Sequence, residues 1–129
     1  MQLLATRDLA MLPLNDTPFN RFKSDLKFIE CCAAGVVPIC SSLVYAEKQV
    51  HHEIGVFATT PEEWATSLLR LLSDVSEIAA RREKGLQYVE RNRMHSQHIH
   101  SRMCYYEHLM ANRDVLELGR RARIALKNV

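Results

Sequence analysis

The chain has 129 residues, of which 47% are hydrophobic and 25% charged, and its formal net charge is +2. That size and balance suit one soluble globular domain with a single core and exclude a disordered or fibrous chain. So mild a charge excludes a nucleic-acid or membrane surface unless cations gather locally.

In chain order, the helix-like QLLAT is followed by DLAMLPL (8–14), a short apolar run that predicts a first strand stopping near Pro13. The polar NDTPFN (15–20) reads as a loop, with Pro18 holding Thr17 away from helical angles. Ser24 is placed to cap a helix over 24–34, where Leu26, Ile29, Cys32 and Ala33 recur at helical spacing and Gly35 closes the C-terminus. VVPICSS (36–42) has the two-sided apolar character of a strand in a parallel sheet, and Pro38 suggests an edge or a missing ladder bond.

YAEKQVHH reads as a brief helix before a third strand, IGVFAT (54–59). TTPEEWATSLLRLL carries the strongest helix signal, with Thr60 as cap, Pro61 at the first turn and Glu63 completing a capping box. Asp74 and Glu77 open another helix. Residues 96–126 are helical again, with Met103, Tyr106, Leu109 and Met110 spaced for packing. Strands come first and helices last. The expectation is an α/β fold, a short parallel Rossmann-like sheet flanked by helices with a helical C-terminal region, forming one domain over 1–129 with no repeat or linker to divide it.

Cys31, Cys32, Cys40 and Cys104 show no CxxC spacing, which favours neither a disulfide framework nor a zinc ribbon and points to the cytoplasm. No run approaches the roughly 20 apolar residues of a membrane span, and the N-terminus lacks a signal-peptide layout. His95 and His98 share a helical face, with His100, His51 and His52 nearby or elsewhere, but no cysteine or carboxylate set completes a metal site. They read as surface or partly packed histidines, and no metal or cofactor is expected. Arg113, Arg120, Arg121, Arg123 and Lys127 alternate with Asp114 and Glu117 and lack stacking aromatics, so a solvated terminal helix, or one crossing onto another domain, is favoured over a nucleic-acid contact. Ser41 and Ser42 follow the second strand without a G-x-S-x-G elbow and read as lining rather than nucleophiles. Trp64 and Phe57 read as core.

The chemistry concentrates in FNRFKSDLKFIECCAAG (19–35). On a helix from Ser24, Lys23, Lys27 and Glu30 share one face beside an apolar one. The unpaired amides near Ser24, Asp25 and Leu26 would receive a phosphate, aided by the helix dipole and Lys23, while Asp25 opposes it unless turned away. The rise from Ser24 to Glu30, roughly 9 Å, matches the reach from a diphosphate to the ribose hydroxyls of one nucleotide. The plainer alternative is an exposed Lys27–Glu30 pair worth about 0.3 kcal/mol.

LPLNDTPFNRFKSDLKFIECCAAGVVPICSSLVY followed by GVFATTPEEWATSLLRLL, covering roughly 8–73, resembles the C-terminal nucleotide-sugar-binding half of retaining glycosyltransferases of the GT-B fold. The KSDLKFIE and AAGVVPI segments are its most specific part. The resemblance implies that Glu30 binds the donor ribose and that Lys23, Ser24, Asp25 and Leu26 form the phosphate-facing turn. Many members carry a sugar-contacting glutamate eight positions before the ribose one, where this chain has Phe22, and glycines where it has Lys23 and Asp25. Asn20 and Lys23 are then the candidates for the displaced polar contacts. The implied partner is a nucleotide-diphosphate sugar. The acceptor domain that such enzymes place on the N-terminal side is missing here, and so are the opening strands of the nucleotide domain. The chain therefore reads as a fragment inactive alone, with an exposed half-sheet that leaves room for a homodimer, and membrane-peripheral placement only through the full-length protein. No nucleic acid is expected. The alternatives are a non-catalytic Rossmann-like interaction domain, which Phe22 supports, and a flavodoxin-like regulatory module, whose acidic cluster at the strand ends is lacking.

Overall fold

The computed structural model describes residues 4–46 and 49–127. Its internal contacts divide it into two compact units, Met1–Arg93 and Met94–Val129, parting where the long sixth helix ends. The sequence offers no glycine- or proline-rich linker there, so the division is visible only in the contacts.

In the first unit a 3-10 turn (Leu4–Thr6) leads into β1 (Leu9–Leu12), followed by α1 (Pro18–Arg21), α2 (Leu26–Ala33), β2 (Val37–Cys40), α3 (Ser42–Tyr45), α4 (Gln49–Ile54), β3 (Val56–Phe57), α5 (Pro61–Ser73) and α6 (Val75–Asn92). The three strands form one sheet in the order β1-β2-β3, with both pairings parallel. Leu9 stands opposite Val37 and Leu12 opposite Cys40, while β3 pairs only Val56 with Ile39 and Phe57 with Cys40. The protein is mostly helical around this small sheet.

All four residues of β2 are buried, because successive side chains point to opposite faces and both faces are covered. Val37 and Ile39 join Val56, Leu71 and Ile78 on one face, with Leu9, Trp64 and Leu68 against them. Cys40 joins Phe28, Cys32, Val44, Tyr45, Ile54, Tyr88 and Val89 on the other. Helices α2 and α4 thus lie on one side and α5 on the other, and α6 contributes to both clusters. Helix α6 comes close to α2 at Gly85, where an added Cβ would stand 3.2 Å from Ile54 Cγ2 and 3.5 Å from Cys32 Cβ. Fully burying Phe28, Ile39 or Leu71 contributes about 1.5–3 kcal/mol each.

Local sequence sets the ends of these elements. Thr60 Oγ1 accepts from the Glu63 amide while Glu63 Oε2 accepts from the Thr60 amide, a closed capping box at α5. Asp74 caps α6 by accepting from the Glu77 amide. Gly35, one residue past the Ala34 cap of α2, has φ of 70°, which only glycine adopts without strain.

Several expectations shift. Pro18 opens the short helix α1, capped by Thr17, inside the stretch expected as loop, since a proline's fixed φ suits a first helical turn. Pro38 lies in the central strand rather than at an edge, opposite Ala10 and one residue before the ladder to β3 begins. The segment expected as one brief helix is split into α3 and α4, and its Glu47 and Lys48 lie outside the described residues, as do Met1, Gln2 and Leu3 of the opening.

The second unit is α7 (His95–Ala111) and α8 (Arg113–Lys127), which meet at Asn112. No residue of α7 is buried. Met103, Tyr106 and Met110, expected to pack, are 52%, 59% and 71% exposed, and only Leu109 of that set is half-buried. Two helices of this length have too little facing surface to enclose a core. Among the described residues no helix is long and apolar enough to cross a membrane.

Candidate functional site

The sheet ends at Leu12, Cys40 and Phe57, and the loops beyond these carboxyl ends enclose two neighbouring hollows. The first, about 430 Å³, is lined by Met11, Leu12, Pro13, Leu14, Lys23, Ser24, Leu26, Lys27 and Tyr45. The second, about 420 Å³, is lined by Leu14, Asn15, Asp16, Ser41, Ser42, Leu43, Ala58 and Thr59. In open parallel sheets this edge is where ligands bind, because the loops there carry no ladder obligations and the following helices present their N-termini. A larger hollow of about 510 Å³ sits at the opposite end of β1, between it and α5–α6. Apart from the exposed Arg7 its charged lining is Asp8 and Arg82, which are paired with each other.

Of the residues singled out in the sequence, Lys23, Ser24 and Leu26 border the first hollow, whereas Asn20, Asp25 and Glu30 are not among its lining. Helix α2 starts at Leu26 with Asp25 as its N-cap residue, so Ser24 is not the cap. The first intrahelical bond runs from the Ile29 amide to the Asp25 carbonyl at 3.1 Å, and the amides of Leu26, Lys27 and Phe28 precede it without partners inside the helix. The amide-rich turn therefore sits two residues further on than expected. Lys23 lies before the helix and does not share its face with Lys27 and Glu30; its ammonium rests 5.4 Å from the Phe19 ring centroid. Lys23, Ser24, Leu26 and Lys27 nevertheless border the same hollow.

Glu30 is neither sealed in the core nor alone. Its carboxylate lies 3.7 Å from Lys27 Nζ, with the two side chains 35% and 72% exposed. That is the exposed pair weighed as the plain alternative, and Glu30 is not among the residues lining the hollow. Asn20 spends its side-chain amide on the Asn15 carbonyl at 2.8 Å, bracing the loop before α1. Phe22 is 91% exposed.

Asp25 is not among the residues lining the hollow. Its two oxygens accept from Arg93 Nη1 and Nη2 at 2.9 and 2.8 Å, a bidentate pair spanning 68 residues, so its side chain is not available to cap α2. Tyr88 Oη lies 3.3 Å from Arg93 Nη1 and 3.3 Å from His51 Nε2. His51 is buried and its Nδ1 sits 2.6 Å from the Tyr45 carbonyl; because a carbonyl only accepts, Nδ1 carries the proton. This buried polar group fastens the start of α2 to α4 and to the end of α6. Arg93 escaped the sequence reading because its partner Asp25 lies 68 residues away, and His51, read as a surface or partly packed histidine, is buried; a basic residue at a helix C-terminus was the only local sign of Arg93.

The remaining candidates are structural. Ser41 Oγ accepts from the Leu14 amide at 2.7 Å, tying the loop after β2 to the loop after β1. Cys31, Cys32 and Cys40 are buried, and the cost of placing a thiolate in the core pushes all three thiols upward, that of Cys32 to about 12, so they are not nucleophiles at neutral pH. Among the described residues no three His, Cys, Asp or Glu side chains are grouped to hold a metal ion. No protein-family model, curated protein or solved structure matches the chain.

Proposed function

We propose that the first unit is the donor-binding half of a retaining glycosyltransferase of the GT-B type, holding a nucleotide-diphosphate sugar at the carboxyl edge of its sheet. One observation carries the reading: the β1–α2–β2 unit is parallel, and the unpaired amides opening α2 stand with Lys23 and Lys27 at a hollow on that edge. Backbone amides, the positive end of the helix dipole and two ammonium groups are complementary to a diphosphate. As the bond from sugar to diphosphate breaks, negative charge grows on the leaving oxygen, and these groups are already oriented to stabilise it.

Glu30 stands one turn beyond Leu26, about 6 Å along the axis. It would accept both ribose hydroxyl protons, with Lys27 orienting the carboxylate. The hydroxyl-bearing second hollow, with Ser42 and Thr59, would take a neutral, polyhydroxylated group. The objection that Asp25 repels phosphate weakens, since its carboxylate is paired with Arg93 and it does not line the hollow. The acceptor would come from a second domain, and the 129 residues alone are expected to transfer no sugar.

Titration with uridine, guanosine and thymidine diphosphates tests the reading. At least one should bind, and Glu30→Ala should abolish the advantage of that diphosphate over inorganic pyrophosphate. If none binds, the proposal fails. A second reading, a non-catalytic interaction domain on the same fold, draws on the almost fully exposed Phe22 where the resemblance calls for a glutamate; it predicts no nucleotide binding at all.

A further inference from the structure

We propose that the second unit docks on an anionic lipid bilayer through α8, the helix lying in the plane of the interface with its apolar stripe among the acyl chains and its arginines against the headgroups.

The charge of the chain is not spread evenly. Between Arg113 and Lys127 five arginines and lysines stand against Asp114 and Glu117, a net charge of +3, whereas the whole chain carries +2. The rest of the chain therefore sums to −1, and the mild overall charge conceals one strongly basic helix.

Apolar residues take the other side of that helix. Val115, Leu118, Ala122 and Leu126 recur at i, i+3, i+7 and i+11, which sets them in a single stripe. Among the described residues nothing covers it. Val115, Leu118 and Leu126 are 71%, 71% and 78% exposed, and a Cβ added at Gly119, on the same stripe, would meet no atom of another element within 4 Å. Glu117 lies across the helix from the stripe, where Arg120 and Arg121 engage its carboxylate at 2.7 and 2.9 Å, so the acid is already balanced by cations. Asp114 sits in the first turn, where the helix dipole favours a negative charge. Helix α7 carries a similar stripe of Ile99, Met103, Tyr106 and Met110, all exposed, and its tyrosine has the apolar body and polar tip that suit headgroup depth.

Together the two faces of α8 select the occupant. Two copies of the chain joined along α8 would bring two +3 helices together, and like charges oppose that. Nucleic acid would neutralise the cations but leave the stripe in water. An anionic bilayer satisfies both faces at once. With 15 residues α8 is about 22 Å long, short of the roughly 30 Å of a hydrocarbon core, so it lies along the surface instead of crossing.

The test is flotation of the 129-residue chain with phosphatidylcholine vesicles, with and without about 30% phosphatidylserine. The chain should float with the anionic vesicles and not with the neutral ones, and salt at several times the physiological level should release it. Leu118→Glu should weaken binding to the anionic vesicles about tenfold or more, and Arg123→Gln about fivefold. Both residues are exposed and lie outside the first unit, so neither change removes a buried contact, and circular dichroism checks that the helices persist. Flotation with anionic vesicles alone, weakened in both variants, supports the proposal. Equal flotation with both vesicle types, or Leu118→Glu floating as well as the parent, overturns it. So does a parent chain that binds neither vesicle, including one that instead sediments as a dimer which Leu118→Glu dissociates, or one that binds a single-stranded oligoribonucleotide. The nucleotide site proposed for the first unit stands or falls separately, since diphosphate titration does not involve α8.

Discussion

Gly55 lies against Phe28 so closely that a Cβ on the glycine would stand 2.8 Å from Phe28 Cε2 and 3.1 Å from the Pro38 carbonyl oxygen. The glycine ends the turn between α4 and β3, and its lack of a side chain lets β3 run alongside β2 with the Phe28 ring seated beneath. Gly55→Ala should therefore destabilise the first unit by about 1–3 kcal/mol, the range for overpacking a core. Gly35→Ala meets nothing closer than 3.7 Å but must hold φ at 70°, so its cost is conformational, about 1 kcal/mol. Urea titrations of both variants check the order, and a Gly55→Ala protein as stable as the parent would refute the close approach.

Ser41 joins the ends of β1 and β2 through its bond to the Leu14 amide, which is half-buried. Ser41→Ala leaves that amide without its partner and should cost about 1–2 kcal/mol. It should also speed hydrogen exchange at Leu14 far more than at Val37 or Ile39. Uniform acceleration across the sheet would instead assign Ser41 a global packing role.

Only one of the four thiols should react in the native state. Cys104 is exposed on α7, whereas Cys31, Cys32 and Cys40 are buried with their thiols held protonated by the surrounding core. A native thiol titration near neutral pH should count one equivalent, rising to four in denaturant. Rapid native modification of Cys32 would show that α2 opens from α6.

Acid should unfold the first unit through its helix caps. Hydrogen bonds from the Thr59 and Thr60 amides hold Glu63 below the usual carboxylate range, those from the Ser76 hydroxyl and the Glu77 amide lower Asp74, and the Arg81 and Arg70 guanidiniums lower Glu77. A carboxyl whose pKa is lower folded than unfolded adds stability that is complete above the unfolded value, near 4, and is lost as pH falls through the folded one. Melting temperature should be level from pH 7 to about 5 and fall steadily below about 4. Glu63→Gln should flatten part of that fall, and an unchanged slope would deny the capping box its share.

What could be read in the sequence was whatever neighbours in the chain decide. Thr60, Pro61 and Glu63 announce the start of α5 because all three act within one turn, and the alternation of short apolar runs with amphipathic ones announces the parallel sheet. Gly35 announces the end of α2 for the same reason. Ser24 was the natural cap by residue type, yet the cap residue is Asp25, whose side chain is held by Arg93, a contact no local pattern encodes. His51, whose partners Tyr45 and Tyr88 lie six and thirty-seven residues away, was legible only as one of several histidines. The lysines of the site were found by type, but their geometry was not, since a two-residue shift in the helix start removes Lys23 from its face.

Glu30 and Lys27 give the sharpest separation between a ligand-binding stripe and a surface pair. As an exposed pair 3.7 Å apart they contribute at most about 0.5 kcal/mol, so Glu30→Gln should leave the urea midpoint nearly unchanged. If the carboxylate accepts from ribose hydroxyls, the same change should weaken a nucleoside diphosphate about ten- to a hundredfold while sparing inorganic pyrophosphate, because a charged acceptor is worth roughly 1.5–3 kcal/mol. Lys27→Met should weaken both ligands, as it removes a cation from the hollow as well as the partner of Glu30. Equal losses of the nucleotide and of pyrophosphate in Glu30→Gln would mean that the carboxylate acts only through Lys27, and the ribose assignment would have to be abandoned.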